Sequence, residues 1–391
     1  MRHLTVLMLF TLCRPLLADE LSDANLFFDF AEEHYPKYFF PAEQQTVTYK
    51  NYLVRYYPGT NTYLGTLGTG VYIYSKSLGE GIMYVGEITD FISLDQTAPS
   101  TDNNVDPLDL TDIILTRRSA TCSDYAGEYV SSVKDVSRSL SFEGDLSISV
   151  GNGTCTFTSN NIPNHDMGQG GAFATPVSAV NNSYTISASP VFAASTTALT
   201  LEYDNAILLN GVKVDLFAAA CFGVADEKIG CNDINQPWRF DPMSPLNNFG
   251  TDTHNAHTQP DGAYHYHGNP KALFDFSTAI ESPVVGFAAD GFPIFGSYFD
   301  DNGTVRKAES SYRLKTGSRP SGNGNPGGNY DGTYRDDYEF VEGIGDLDEC
   351  NGMTVDGIYG YYIIDEFPYM LGCFSGTPNS SFRKTGGAPA R

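Results

Sequence analysis

Four of the chain's seven histidines lie between residues 254 and 267, in the stretch THNAHTQPDGAYHYHGNP. Pro260, Asp261 and Gly262 form a turn signal, and Tyr264-His265-Tyr266-His267 alternates after it. On an extended strand, successive side chains point to opposite faces. His265 and His267 therefore project together, about 6.5–7 Å apart along the chain, while Tyr264 and Tyr266 face the core. Two imidazoles on one strand face can share an ion if a third donor arrives, as in three-histidine zinc sites. His257, across the turn, can fold back to supply it. His165, in NIPNHDMG, is a further candidate. Imidazole ligands without a free thiolate favour Zn²⁺ or Cu²⁺ over Cu(I), and calcium would not need the histidines. If such a centre is catalytic, metal-assisted hydrolysis or oxidation is the expected class. The competing reading places these imidazoles in hydrogen-bond networks beside acidic groups.

Other chemistries find little support. In AADGFPIFG, Asp290 occupies a turn, where an Asp most often bonds the backbone; its functional reading is outer-shell support that orients a histidine. DLDECNG lacks the Gly and Glu that a calcium-binding helix–loop–helix requires. GNGNPGG lacks the Lys-Ser/Thr of a phosphate loop. There is no GxSxG elbow and no HExxH helix.

The elements that must position the histidines are mostly strands. Leu140–Val150 (LSFEGDLSISV) and TCTFTSN alternate around Asn152-Gly153, a hairpin signal. SYTISASPVF follows, and then ALTLEYDNAILL, closed by Asn210-Gly211. No long repeat is visible. Residues 318–337, SRPSGNGNPGGNYDGTYRDD, are nearly free of aliphatic side chains and read as a surface loop long enough to suspect function.

The 391 residues allow two or three domains. Residues 1–18 read as a signal peptide cleaved after Ala18, with Arg2 and His3 preceding an apolar run. Residues 19–95 read as a small α+β module, with a helix from Asp23 whose apolar face is Leu26, Phe27, Phe30 and Ala31. Polar residues 96–111 read as a linker and 112–391 as a β-rich domain. Cleavage removes Cys13 and leaves Cys122, Cys155, Cys221, Cys231, Cys350 and Cys373, an even number suited to an oxidising compartment. Six cysteines allow 15 pairings; neighbours in sequence are the expected partners.

Charge narrows the partners. The formal net charge of −24 repels phosphate backbones, so no nucleic-acid partner is expected. No apolar run is long enough for a transmembrane segment. An extracellular ligand is the expected partner. The 25 Tyr and 25 Phe would suit stacking on a polysaccharide, although aromatics in β domains mostly fill cores.

AYHYHG resembles the signature of the bacterial YHYH-domain family. SNNIPNHD, LLNGVKVDLF, HNAHTQPDGAYHYHG, SPVVGFAADGFPIFG, DGTYRDDYEFVEGIGDLDECNG and DEFPYMLGCFSG extend the resemblance over about residues 118–376. It implies a secreted protein with a shared fold and a histidine-bearing segment, and it hands over no mechanism. Relatives often carry a second Tyr-His-Tyr-His tetrad before EFPY. Here that position reads Tyr359-Gly360-Tyr361-Tyr362, which leaves Tyr362 to line a pocket or ligate weakly. FFDFAEEHYPKYFFP, YLVRYYPGTNTYLG and VGEITDFI resemble a small accessory module of secreted bacterial proteins.

The resulting expectation is a secreted or cell-envelope protein, mainly β, sandwich-like and disulfide-stapled. It would carry a divalent-metal site built from His265, His267, His257 and His165, with Asp290 and Tyr362 around it. The alternative is a non-catalytic binding or adhesion module with structural histidines.

Overall fold

The computed structural model describes residues 18–35, 38–39, 46–49, 52–75, 82–88, 107–275 and 280–384. The expected signal peptide, apart from Ala18, lies outside these residues, as does most of the expected linker. The chain divides into two compact units, Met1–Val105 and Asp106–Arg391.

In the first unit a helix spans Ala18–His34 and so begins before Asp23. Its buried face is Ala24, Phe27, Phe28 and Ala31, while Leu26 is exposed. The spacing i, i+3, i+4, i+7 selects that stripe, so the expected face was rotated by about one residue. Strands Val47–Tyr49, Tyr52–Tyr57, Thr62–Leu67, Gly70–Ser75 and Met83–Glu87 form an antiparallel meander. Arg55 ties this sheet to the helix through Asp29 (2.6 Å) and Glu32 (3.0 Å).

The second unit holds two large sheets. One is five-stranded, with Leu108–Asp109, Gly127–Asp135, Leu140–Gly151, Thr154–Ser159 and Asn182–Ser187 as neighbours in chain order. Its first strand comes from the end of the expected linker and runs parallel to Gly127–Asp135. Asn152 and Gly153 turn the central hairpin, both with positive φ. The other sheet is eight-stranded: β1 (Ala206–Leu208), β2 (Lys213–Val214), β3 (Ala256–Thr258), β4 (Tyr264–Tyr266), β5 (Val284–Ala288), β6 (Pro293–Phe295), β7 (Gly352–Val355) and β8 (Ile358–Tyr362). The sheets share one hydrophobic core, in which Phe157 meets Phe287 with ring centres 6.0 Å apart. The fold is thus mainly β and sandwich-like.

The strand order of the large sheet is β3-β4-β2-β1-β5-β6-β8-β7. Its two halves repeat one plan. A tight hairpin (β1-β2, or β5-β6) leads through a long crossover to a second hairpin (β3-β4, or β7-β8), whose last strand pairs in parallel with the first hairpin. The details match. Gly211 N–H donates to Leu208 O (2.9 Å) as Gly291 N–H does to Ala288 O (2.8 Å). Asn255 and Asn351 both have positive φ. Tyr264 Oη donates to Asp252 (2.8 Å) as Tyr359 Oη does to Asp348 (2.9 Å). At the join, Leu209 N–H donates to Val285 O while Ala289 N–H donates to Asn205 O, each at 2.9 Å. A repeat is therefore present, contrary to the expectation of none, and the sequence carries it as Asp-x-x-Asn-x-x-Thr followed by Asp-Gly-x-Tyr-x-Tyr at 252–266 and again at 348–361. What recurs is turn chemistry, strand pairing and seven residues of the second hairpin (Asp252/Asp348, Asn255/Asn351, Thr258/Thr354, Asp261/Asp356, Gly262/Gly357, Tyr264/Tyr359 and Tyr266/Tyr361), while the imidazole positions differ.

The disulfides join Cys122 to Cys155, Cys221 to Cys231 and Cys350 to Cys373. Loop 318–337 carries a short pair of strands, Ser321–Gly322 and Asn325–Pro326. At its base it is not a surface feature: Arg319 forms a bidentate pair with fully buried Asp337 (2.7 and 2.6 Å).

Candidate metal centre

The turn at residues 259–262 sets the register His257↔His265 across β3 and β4. Paired residues share a sheet face, so His257 comes to lie beside His265. His267 continues the alternation beyond β4, with its amide bonded to Asn255 O (2.9 Å). The Nε2 atoms converge: His265 to His267 is 3.0 Å and His267 to His257 is 3.0 Å. A tetrahedral ion with ~2.0–2.1 Å bonds would hold its nitrogens about 3.3 Å apart. These three form a cluster able to hold a metal ion, and no fourth His, Cys, Asp or Glu joins it among the described residues.

The backbone decides which nitrogens are free. His257 Nδ1 lies 2.6 Å from Phe249 O, and His265 Nδ1 lies 3.3 Å from Ala263 O. A carbonyl only accepts, so both Nδ1 atoms carry the proton and both Nε2 atoms present lone pairs. His267 Nδ1 is buried without a well-formed hydrogen bond, with the Asp215 backbone as weak support. Without a cation, a single proton on His267 Nε2 can serve one neighbouring lone pair and leaves the other unmatched. A cation at the point of convergence satisfies all three, with the Nδ1 anchors as outer support.

Electrostatics agrees. Burial, reinforced by the adjacent imidazoles, holds His265 and His267 well below the usual histidine range. Burial also lowers His257, against the opposing pull of the Phe249 carbonyl. All three rings are therefore neutral at pH 7, the form that ligates metal.

The other expected site residues lie elsewhere. Tyr264 and Tyr266 are fully buried on the opposite face of β4. His165 joins them there: its Nε2 lies 2.6 Å from Tyr266 Oη, and its ring lies 4.0 Å from that of His254. The alternation that aims His265 and His267 one way places His165 behind the strand, so it is no part of the triad. Asp290 also orients no imidazole. It accepts from Tyr361 Oη (2.6 Å) and the Gly376 amide (2.9 Å), and it is the second-half counterpart of Asn210, which bonds Tyr266 Oη (3.0 Å).

Tyr362 is the counterpart of His267, five strand positions from β4 in the sheet. It stacks on Phe295 at 5.3 Å. Gly360, opposite Met353, stands where His265 stands in the first half. A Cβ there would meet the Phe295 ring at 2.5 Å. Phe295 thus plugs the space that a second site would need. A further cluster, Glu349 with Cys350 and Cys373, offers no thiolate, since those cysteines are bonded to each other.

Sequence reasoning missed a charged network beside the triad. Lys213 Nζ donates to Gln259 Oε1 (2.8 Å) and pairs with Asp204 (3.3 Å). Gln259 Nε2 donates to Asp215 Oδ2 (2.9 Å), which Lys384 also engages. The alternation in VKVD hinted at Lys213 and Asp215. Their place beside His265 and His267 depends on the parallel β2–β4 pairing across a long crossover, which no local pattern reveals.

A family model described as YHYH protein matches residues 183–376, a narrower span than the 118–376 expected. No curated protein matches the chain, and no solved structure does. The match contains all eight strands of the large sheet and the three converging imidazoles, and over residues 183–376 the chain carries a YHYH domain.

Proposed function

We propose that this is an exported protein whose YHYH domain holds one divalent metal ion, Zn²⁺ or Cu²⁺, on His257, His265 and His267. The observation that carries this reading is the convergence of three Nε2 atoms within a buried site, while backbone carbonyls hold the Nδ1 protons of His257 and His265. Structural histidines in a binding module would leave a buried lone pair unmatched, which costs free energy. Three protein ligands leave a position for an outside molecule, as in catalytic rather than structural zinc sites. Metal-assisted hydrolysis or oxidation is the reaction class such a centre supports. Three disulfides suit an oxidising compartment, and no helix among the described residues is long and apolar enough to cross a membrane.

Elemental analysis of the purified full-length protein tests the reading. The wild type is expected to hold about one equivalent of metal, and His265→Ala with His267→Ala to hold none. Metal absent from the wild type, or unchanged in the variant, removes the centre.

A further inference from the structure

Near the end of loop 318–337, Arg335 begins a short 3-10 turn, Arg335–Asp337. Its guanidinium lies between two rings, 4.4 Å from the centre of Phe217 and 4.7 Å from that of Phe367. The rings attract the cation but accept no conventional hydrogen bond. No side-chain hydrogen bond or ion pair to Arg335 is present among the described residues, and its Nη1 is buried without a partner. The residue as a whole remains half-buried.

The neighbouring charged groups are already engaged. Asp241 accepts from Tyr369 Oη (2.7 Å) and the Met243 amide (3.0 Å). Asp336 accepts from the Arg239 amide (3.1 Å). Arg239 itself donates to the carbonyls of Ala218, Cys231 and Asp233, and Arg319 pairs with Asp337 and Asp331. Lys213 and Lys384 hold Asp204 and Asp215. Among the described residues Arg335 therefore makes neither an ion pair nor a side-chain hydrogen bond, with Asp241 acting on it only through charge, in a protein of net charge −24.

Phe217 links Arg335 to the strand that flanks the triad. Phe217, under the guanidinium, lies two residues beyond Asp215, whose amide bonds Tyr266 O (3.0 Å) at the end of β4. The Arg335 charge reaches the His267 ring.

We infer that Arg335 is the anion-recognising arm of this site: it pairs with the oxyanion group, carboxylate or phosphate, of a molecule whose other donor takes the open position on the metal. The second anchor rests on the metal reading above; the first does not. A guanidinium offers a planar fork that matches both oxyanions in bidentate fashion. The overall field of the protein repels anions, so recognition of one requires a local, uncommitted cation.

Inorganic phosphate is the probe, titrated by calorimetry into full-length protein, metal-free and Zn²⁺-loaded, at one fixed ionic strength. Wild type is expected to bind phosphate, more tightly when loaded. Arg335→Met is expected to weaken binding tenfold or more in both forms, with metal content unchanged. Arg335→Lys, which keeps the charge and loses the fork, is expected to fall between them, and it serves as the test if the methionine variant does not fold. Equal affinity in wild type and variants, or no phosphate binding by any of them, overturns the inference and leaves Arg335 as filling between two rings. If wild type holds no metal but metal-free binding still depends on Arg335, the arm stands and the metal reading falls. If metal binds normally and the variants match wild type, the reverse holds.

Discussion

At the scale of single residues, neutral imidazoles dominate the chemistry. Burial, which outweighs the pull of Asp215 and Asp252 on His257, keeps the triad uncharged, and burial also governs His165 on the other face of β4. Burial pushes His165 down to about 3, with the His254 charge adding to the effect. An unfolded chain would take up that proton near pH 6.5. Between those values the unfolded state binds a proton that the native state refuses. Stability is therefore full above about pH 6.5 and falls as the pH drops, approaching about 1.4 kcal/mol per unit from this group alone. Urea unfolding between pH 4 and 6.5 is expected to show a slope smaller by up to one proton in His165→Gln; identical slopes would contradict the assignment. At this scale the sequence was informative for His257, His265 and His267, because strand alternation and a turn are local rules. It misled for His165, since nothing local says on which side of a distant strand a loop will settle.

At the scale of elements, the β3–β4 hairpin is what makes three histidines into a cluster. Gly262 closes its turn at φ +87°, and a Cβ there would meet Ser178 Cβ at 2.6 Å and Pro176 O at 2.9 Å. Backbone conformation and space both require glycine. Gly262→Ala is expected to cost about 1–3 kcal/mol of stability and to weaken metal binding as His257 drifts from His265. Urea midpoints and metal titrations on the same samples check this, and a variant as stable as wild type would contradict it. The Asn-Gly and Asp-Gly turns were legible, as were the cysteine partners. The repeat was legible only as two short copies of Asp-x-x-Asn-x-x-Thr and Asp-Gly-x-Tyr-x-Tyr, and it takes the fold, with Tyr264 bonded to Asp252 and Tyr359 to Asp348, to show that they are equivalent. Tyr362 looked like a degraded ligand in sequence. In the fold it is a core ring stacked on Phe295, and the second half of the sheet is an apolar plug.

At the scale of the whole molecule, the YHYH domain's two-halved sheet shares its core with a five-stranded sheet that lies mostly outside the family match. Each of the three disulfides closes a short span of chain. The triad is assembled by the fold without an ion, so on the proposed reading metal adds to stability by mass action. A metal concentration a hundredfold above the dissociation constant raises it by about 2.7 kcal/mol. Thermal unfolding is expected to shift upward with added Zn²⁺ and back with chelator in wild type, and to be indifferent to both in His257→Ala. A shift of equal size in the variant would place the ion elsewhere. The global charge was plain from composition, but the local exception at Arg335 was not, since it depends on which carboxylates the fold engages.

The central claim is that three imidazoles meet at one ion. X-ray absorption fine structure of the Zn²⁺-loaded protein measures this most directly. The expected spectrum shows three imidazole nitrogens at about 2.0–2.1 Å with one or two further light donors. A shell holding fewer than three imidazoles, or one that persists unchanged in His267→Ala, would contradict it.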